Sequence, residues 1–186
     1  MAEASGGLLP SGCSTLSVSI NVDGHPISRS SRKQFWPVLV LVKESRGQNP
    51  FMAALYEDVG KPENVELFMK DFVEELSVLL TQGVHLNSKL YTVKLHSFIC
   101  DAPARAYPKC IEGHTAYYGC EKCSQEGKHD GKKVTCPDID APLRTDADFT
   151  NQVNTDHHHA ISPLSAFGVG LVSCFPLSGL HALGVL

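Results

Sequence analysis

The chain has no surplus of positive charge: 16 Lys and Arg stand against 20 Asp and Glu, for a formal net charge of −4. A self-sufficient nucleic-acid-binding protein carries a basic surface that displaces counterions from phosphates. Either DNA is not a partner, or the regions that grip it lie mostly outside this stretch. Residues 1–14 contain neither a basic leader nor an apolar run, which argues against a secretory signal and for a nuclear or cytoplasmic protein that is not secreted. Ile161–Leu186 lacks Lys, Arg, Asp and Glu altogether, yet Pro163, Pro176, His181 and four glycines make it a poor bilayer helix. Buried core, with no membrane span, is the expectation there. An even cysteine framework is also missing: the seven cysteines are irregularly spaced except for Cys120-x-x-Cys123, which points to reduced thiols and metal binding rather than disulfides.

What the chain does have is globular composition, 42% apolar and 19% charged, and enough length for one domain with a small insertion. Residues 1–14 are small and Gly/Ser-rich and are expected to be unstructured. From Leu16 to Val22 apolar and polar residues alternate, the period of a half-buried strand, up to the turn pair Asp23-Gly24. Phe35–Val42 reads as a buried strand and Phe51–Tyr56 as a third, joined by a loop through Gly47 and Pro50. After Pro62 the period lengthens. Val65, Phe68, Met69, Phe72, Leu76, Leu79 and Leu80 recur at helical steps, predicting a helix that ends near Gly83. Leu90–Cys100 is the fourth predicted strand and ends at Asp101.

Three strands, a helix and a fourth strand is how a ribonuclease-H-like domain begins, in which the first and fourth strands are neighbours and each delivers a carboxylate from its C-terminal end; the pattern alone also fits other α/β or α+β topologies. The fold class expected is therefore α/β, or α+β with a mixed sheet, built on an incomplete ribonuclease-H-like core. Asp23 and Asp101 stand at those two strand ends. Each also has a local reading: Asp23 opening an Asp-Gly turn, Asp101 capping a helix that starts at Ala102.

The blocks Ser19-Ile20-Asn21-Val22-Asp23-Gly24, Ser30 to Leu39, Ile99-Cys100-Asp101-Ala102-Pro103-Ala104-Arg105 and Gly113 to Cys123 follow one another in order, as do Leu143-Arg144-Thr145-Asp146, His157-His158 and Ser162-Pro163-Leu164. Together they resemble the transposase domain-containing proteins of animal genomes, distantly similar to the CACTA-type transposases of plants. The resemblance runs over roughly residues 16–177. It implies a DDE-type transposable-element nuclease and strand transferase, active on DNA in the nucleus, with Asp23 bridging two Mg2+ ions and Asp101 as a second ligand. A homo-oligomer is implied for the full-length parent. Where the family reads Asp-Tyr-Met-His after Phe-Pro-Leu, this chain has Ser178-Gly179-Leu180-His181, and the third acidic residue is expected further downstream. As it stands the stretch is expected to be an inactive fragment; the alternative is a non-enzymatic, zinc-stabilised interaction module derived from such an element.

Cys120-x-x-Cys123 has the spacing of half a zinc site, and a tetrahedral structural site needs two further N or S ligands. Cys110, His114, His129 and Cys136 are near in sequence; His157, His158 and His159 lie farther on. Cys110-x3-His114-x5-Cys120-x2-Cys123 makes one compact set, while the family resemblance favours a set that draws on His157 or His158. The ligands expected for Zn2+ are Cys120, Cys123, His114 and His158. The organisation expected is a disordered stretch at 1–14, a core at 15–109, a zinc-binding insertion at 110–160 and a return to the core at 161–186.

Overall fold

The alternating run ending at Val22 becomes β1 (Thr15–Val22), and its fate sets the architecture. In the computed structural model, which describes residues 9–28, 32–47 and 49–176, β1 is a central strand of a six-stranded mixed sheet. After a break at Asp23 and Gly24 the chain resumes as β2 (His25–Pro26) along the same neighbour, β3 (Lys33–Val42), which pairs antiparallel with both. β4 (Phe51–Val59) closes the far edge of β3. The helix α1 (Val65–Gln82) follows, its first turn capped by the Asn64 side chain accepting from the Leu67 amide. β5 (Val84–Leu86) and β6 (Lys89–Phe98) form a hairpin, and β6 lies parallel to β1. The predicted side-by-side placement of the first and fourth long strands is thus observed within an α+β arrangement. The connection between them carries α1, as a parallel pairing requires.

One face of the sheet holds the core. Val18, Ile20 and Val22 alternate inward from β1, joined by Val38 and Val40 from β3 and by Val93 from β6, and α1 lays Met69 and Leu76 on them. Trp36 is core, as its surroundings require: its ring meets Phe68 and Tyr107 at centroid distances of 6.3 and 5.6 Å. Phe98, at the end of β6, is fully buried and stacks on Phe175 with centroids 4.7 Å apart. Leu164, Leu171, Val172 and Phe175 are all buried, so the described part of the uncharged segment contributes to the core. Among the described residues no helix is long and apolar enough to cross a membrane. The predictions for residues 1–8 and for 177–186, which include Ser178 and His181, lie outside the described residues.

Beyond β6 regular structure becomes sparse. The short helix α2 (Ala102–Lys109) is followed by a two-residue hairpin, β7 (Lys128–His129) with β8 (Val134–Thr135), and by α3 (Asp146–Thr150). Two 3₁₀ turns, Thr155–His157 and Pro163–Phe167, complete the described chain.

Candidate metal centres

The parallel pairing of β1 and β6 brings their C-terminal ends to one edge of the sheet, and three bonds hold the two ends together. The Ile99 amide donates to the Ile20 carbonyl at 2.7 Å, and Asn21 Nδ2 donates to the Ile99 carbonyl at 2.6 Å. The Val22 amide points at Cys100 Sγ, 3.4 Å away, and burial pushes that thiol's pKa up to about 12, so it acts as a small neutral spacer. The next residue on each strand is an aspartate. Asp23 and Asp101 follow these two ends, close enough that the charge of Asp101 acts on Asp23.

Both local roles expected for these residues are also present, each using one carboxylate oxygen. Asp23 Oδ1 accepts from the Gly24 amide at 2.8 Å, and Asp101 Oδ1 caps α2 by accepting from the Ala104 amide at 2.8 Å. Asp23 Oδ2 lies 3.5 Å from His25 Nε2. The pKa of Asp23 is raised above 3.8, first by burial and then by the negative charge of Asp101, against the opposing pull of His25 and the Gly24 amide. Two carboxylates held this way repel at neutral pH, and a cation placed between them removes the repulsion. Gly24 fixes the approach: a Cβ there would fall 2.6 Å from the Trp36 ring, so only glycine lets the chain turn under the indole after Asp23.

A second cluster forms in the segment after α2. The sulfurs of Cys120, Cys123 and Cys136 all lie within 4.8 Å of one another, a group that can hold a metal ion such as zinc. Cys123 Sγ is 3.1 Å from Cys120 Sγ, and the Cys123 amide and Gln125 Nε2 donate to sulfur at 3.3 and 3.2 Å. The loop before Cys120 is two successive turns, Gly113 to Ala116 and Ala116 to Gly119. A Cβ on Gly119 would meet the Gly113 carbonyl oxygen at 2.1 Å, so this tight path excludes any side chain. The β7–β8 hairpin then doubles back and delivers Cys136.

The environment favours a thiolate at Cys120 and opposes one at Cys136, whose pKa is raised first by burial and then by the charge of the neighbouring sulfurs. The pKa of Cys120 is lowered: burial opposes ionisation, and hydrogen bonds from Cys123, the local amides and Cys136 outweigh it. Arg144 donates through Nε to the Cys120 carbonyl at 2.9 Å, while its Nη2 is buried without a hydrogen-bond partner among the described residues. Three thiolates on a cation would supply the negative charge that a buried guanidinium in this position needs.

Of the ligands expected for Zn2+, two stand in this group and two stand outside it. Cys120 and Cys123 come together, and Cys136 joins them. His114 is outside the three-sulfur group but lines the same cavity of about 240 Å3 with Cys120 and Cys136. His158 is also outside the group: its backbone bridges to Ile111 and its ring packs on Phe149, 4.6 Å between centroids. Cys110 ends α2 in a left-handed conformation and faces a different cavity.

His157 is fully buried, its Nδ1 donating to the Tyr118 carbonyl at 2.6 Å if that nitrogen carries the proton. Burial, aided by the Arg144, His158 and Lys109 cations, lowers its pKa from 6.5 to about 4. A histidine depressed on folding stabilises fully above its unfolded value and loses that stabilisation as pH falls toward the folded one. Stability is thus expected to fall between pH 6.5 and about 4 with a slope of up to about 1.4 kcal/mol per pH unit from this residue. His157→Asn, which keeps a donor toward Tyr118, is expected to make that slope shallower in urea denaturation curves. An unchanged slope would place the titration elsewhere.

The turn that carries Cys120 and Cys123 is linked to α2 by charge. Glu121, between Cys120 and Cys123, is buried and receives Arg105 Nε at 2.9 Å and Lys109 Nζ at 2.7 Å, both from α2. Burial pushes the Glu121 carboxyl up, but Lys109 and Arg105 together outweigh it and hold its pKa below 4.5. Neither Glu121 nor its partners carry a sequence signal beyond ordinary surface charge, so the sequence alone does not single them out. Comparisons with protein-family models, curated proteins and solved structures return no match.

Proposed function

We propose that this chain carries the first part of a ribonuclease-H-like, DDE-type nucleotidyl-transfer core, in which Asp23 and Asp101 bind Mg2+ for cleavage and strand transfer on DNA. The observation that carries the reading is the pair of aspartates at the ends of two adjacent parallel strands. The order of strands and helix, and the resemblance to transposase domain-containing proteins, support it. In-line attack of water or a 3′-hydroxyl on a phosphodiester is served by two magnesium ions about 3.5–4 Å apart, which activate the attacking oxygen and stabilise the leaving one. Carboxylate oxygens suit this hard cation, and it keeps several waters. Asp23 and Asp101 would supply two of the protein ligands, with a third acidic group needed to complete the set. The DNA grip would come mostly from regions outside this stretch, in keeping with the net charge of −4.

In the same reading the cluster of Cys120, Cys123 and Cys136 holds a structural Zn2+, with His114 the nitrogen that completes the tetrahedron. Its support is the shared cavity and Arg144, whose Nε holds the Cys120 carbonyl while Nη2 is buried without a hydrogen-bond partner among the described residues.

The test is Mn2+ binding by the zinc-loaded protein, followed by loss of the free-ion electron paramagnetic resonance signal. Asp23→Asn and Asp101→Asn are each expected to weaken binding about tenfold or more. Equal binding by the parent and both variants would reject the carboxylate site. If Zn2+ still binds in that case, the chain is better described as a zinc-stabilised interaction module without nuclease chemistry.

A further inference from the structure

Cys120-Glu121-Lys122-Cys123 places two charged residues between its thiols, and neither serves the thiol cluster directly. Glu121 turns into the protein and takes both cations of α2. Lys122 turns the other way and donates to the carbonyls of Val172 and Phe175 at 2.7 and 3.0 Å. The short turn that carries two of the three thiols is therefore tied to both sides of the core.

The Glu121 side of this arrangement ends at a carboxylate of the proposed catalytic pair. Arg105 is buried and bridges two groups: Nε reaches Glu121, and Nη1 donates to the Cys100 carbonyl at 3.0 Å. Cys100 is the residue before Asp101, and its thiol meets the Val22 amide, the residue before Asp23. Asp101 in turn caps the helix on which Arg105 sits, through the Ala104 amide and through its own carbonyl, which accepts from the Arg105 amide at 2.9 Å. The path from the thiols to Asp101 is short and made of directional bonds in a water-poor interior, where such bonds transmit displacement well.

We infer that Glu121 and Arg105 are positioning residues: metal bound by Cys120, Cys123 and Cys136 fixes Glu121, Glu121 fixes Arg105, and Arg105 holds the start of α2 so that Asp101 stays beside Asp23. The inference rests on the proposed role of the two aspartates for its functional meaning, but its mechanical part does not depend on that role. Without the metal, the Cys120–Cys123 turn loses its tie to Cys136 and is held by the Glu121 and Lys122 bonds alone, so the first turn of α2 loosens. Cation binding at the aspartates is then weaker although both are present. Arg105 is suited to the bridge because its planar fork donates in two directions at once, which a lysine in the same place does not do.

The experiment uses the full chain, metal-free and loaded with Zn2+, together with Arg105→Lys and with Leu164→Ala as a core variant outside the path. Amide hydrogen exchange at Ala104 and Arg105 is read by NMR, Mn2+ affinity by paramagnetic resonance, and occupancy of the thiols by the charge-transfer absorption of substituted Co2+. Zinc loading is expected to slow exchange at both amides about tenfold and to tighten Mn2+ binding about fivefold or more. Arg105→Lys is expected to keep the Co2+–thiolate absorption and lose both effects. Leu164→Ala, although less stable overall, is expected to keep both, which separates positioning from general destabilisation. The inference is overturned if Arg105→Lys keeps both effects, or if zinc leaves the two amides unchanged. Slowed amides in a zinc-loaded protein that binds no Mn2+ would support the link and reject the cation site.

Discussion

Glu121→Gln is expected to lower the unfolding free energy by about 3–5 kcal/mol, a large share of the stability of a domain this size. The reason is the number of charges left behind. Lys109 is 1% exposed and Arg105 9%, and their shared counter-charge is the Glu121 carboxylate. The substituted amide would keep the shape and some hydrogen bonding, and leave two buried cations facing a neutral group. For Lys109 the alternative contacts are weak ones, ammonium to the rings of Phe149 and Phe175 at 5.2 and 4.9 Å from their centroids. Adding Lys109→Met to Glu121→Gln removes one of the stranded charges and is expected to recover part of the loss, which a double-mutant cycle measures. The same group contributes to acid sensitivity. Because the folded pKa of Glu121 lies below 4.5, its stabilisation is present above that pH and is lost as pH falls below it. If Glu121→Gln cost less than about 1 kcal/mol, Lys109 would have to be neutral in the fold, and the ion triad would not be the tie between α2 and the thiols.

Removal of zinc from the loaded protein is expected to have an effect of similar size, confined to the thiol region and the first turn of α2. Between α2 and the core segment beginning at Ser162, regular structure amounts to two-residue strands, a five-residue helix and a 3₁₀ turn. So little backbone pairing does not hold a segment of this length without a cross-link, and small domains commonly use a metal for that purpose. A chelator is therefore expected to abolish slow amide exchange across the residues around Cys120 to Cys136, while amides of β1, β3 and α1 stay protected. With zinc at about a thousand times its dissociation constant, the stabilisation from binding is about 4 kcal/mol. Cys136→Ser is expected to weaken metal binding along with Cys120→Ser and Cys123→Ser; a normal affinity in Cys136→Ser would remove it from the site. Equal loss of protection in the sheet and in the thiol region would mean that the metal does not act locally.

The parts of this architecture that were legible in the sequence are those set by periodicity. The strand ending at Val22, the helix from Val65 and the strand ending near Asp101 follow from where their apolar residues recur, and the pairing of first and fourth strands follows from their order. The hairpin turn between β5 and β6 was less visible. Asn87 and Ser88 both take positive φ, the two-residue hairpin geometry, but only Asn is a usual marker for it. The thiol cluster was half legible. The Cys120-x-x-Cys123 spacing is local, so sequence reveals it, whereas Cys136 arrives by way of a hairpin whose strands are two residues long and carry no detectable pattern. His158 stands outside the three-sulfur group, its backbone bridged to Ile111 by a pairing that no local signal announces. Glu121 was illegible for a related reason: a glutamate in a charged stretch reads as surface until its two partners on α2 are seen.

The claim on which the functional reading depends is that Asp23 and Asp101 together grip a divalent cation. Crystals of the zinc-loaded protein soaked in Mn2+ and measured at the manganese absorption edge test it most directly. The account predicts an anomalous peak contacted by carboxylate oxygens of both Asp23 and Asp101, and no such peak in Asp101→Asn crystals. Manganese bound elsewhere, with the two aspartates in contact only with the Gly24 and Ala104 amides and His25, would contradict it.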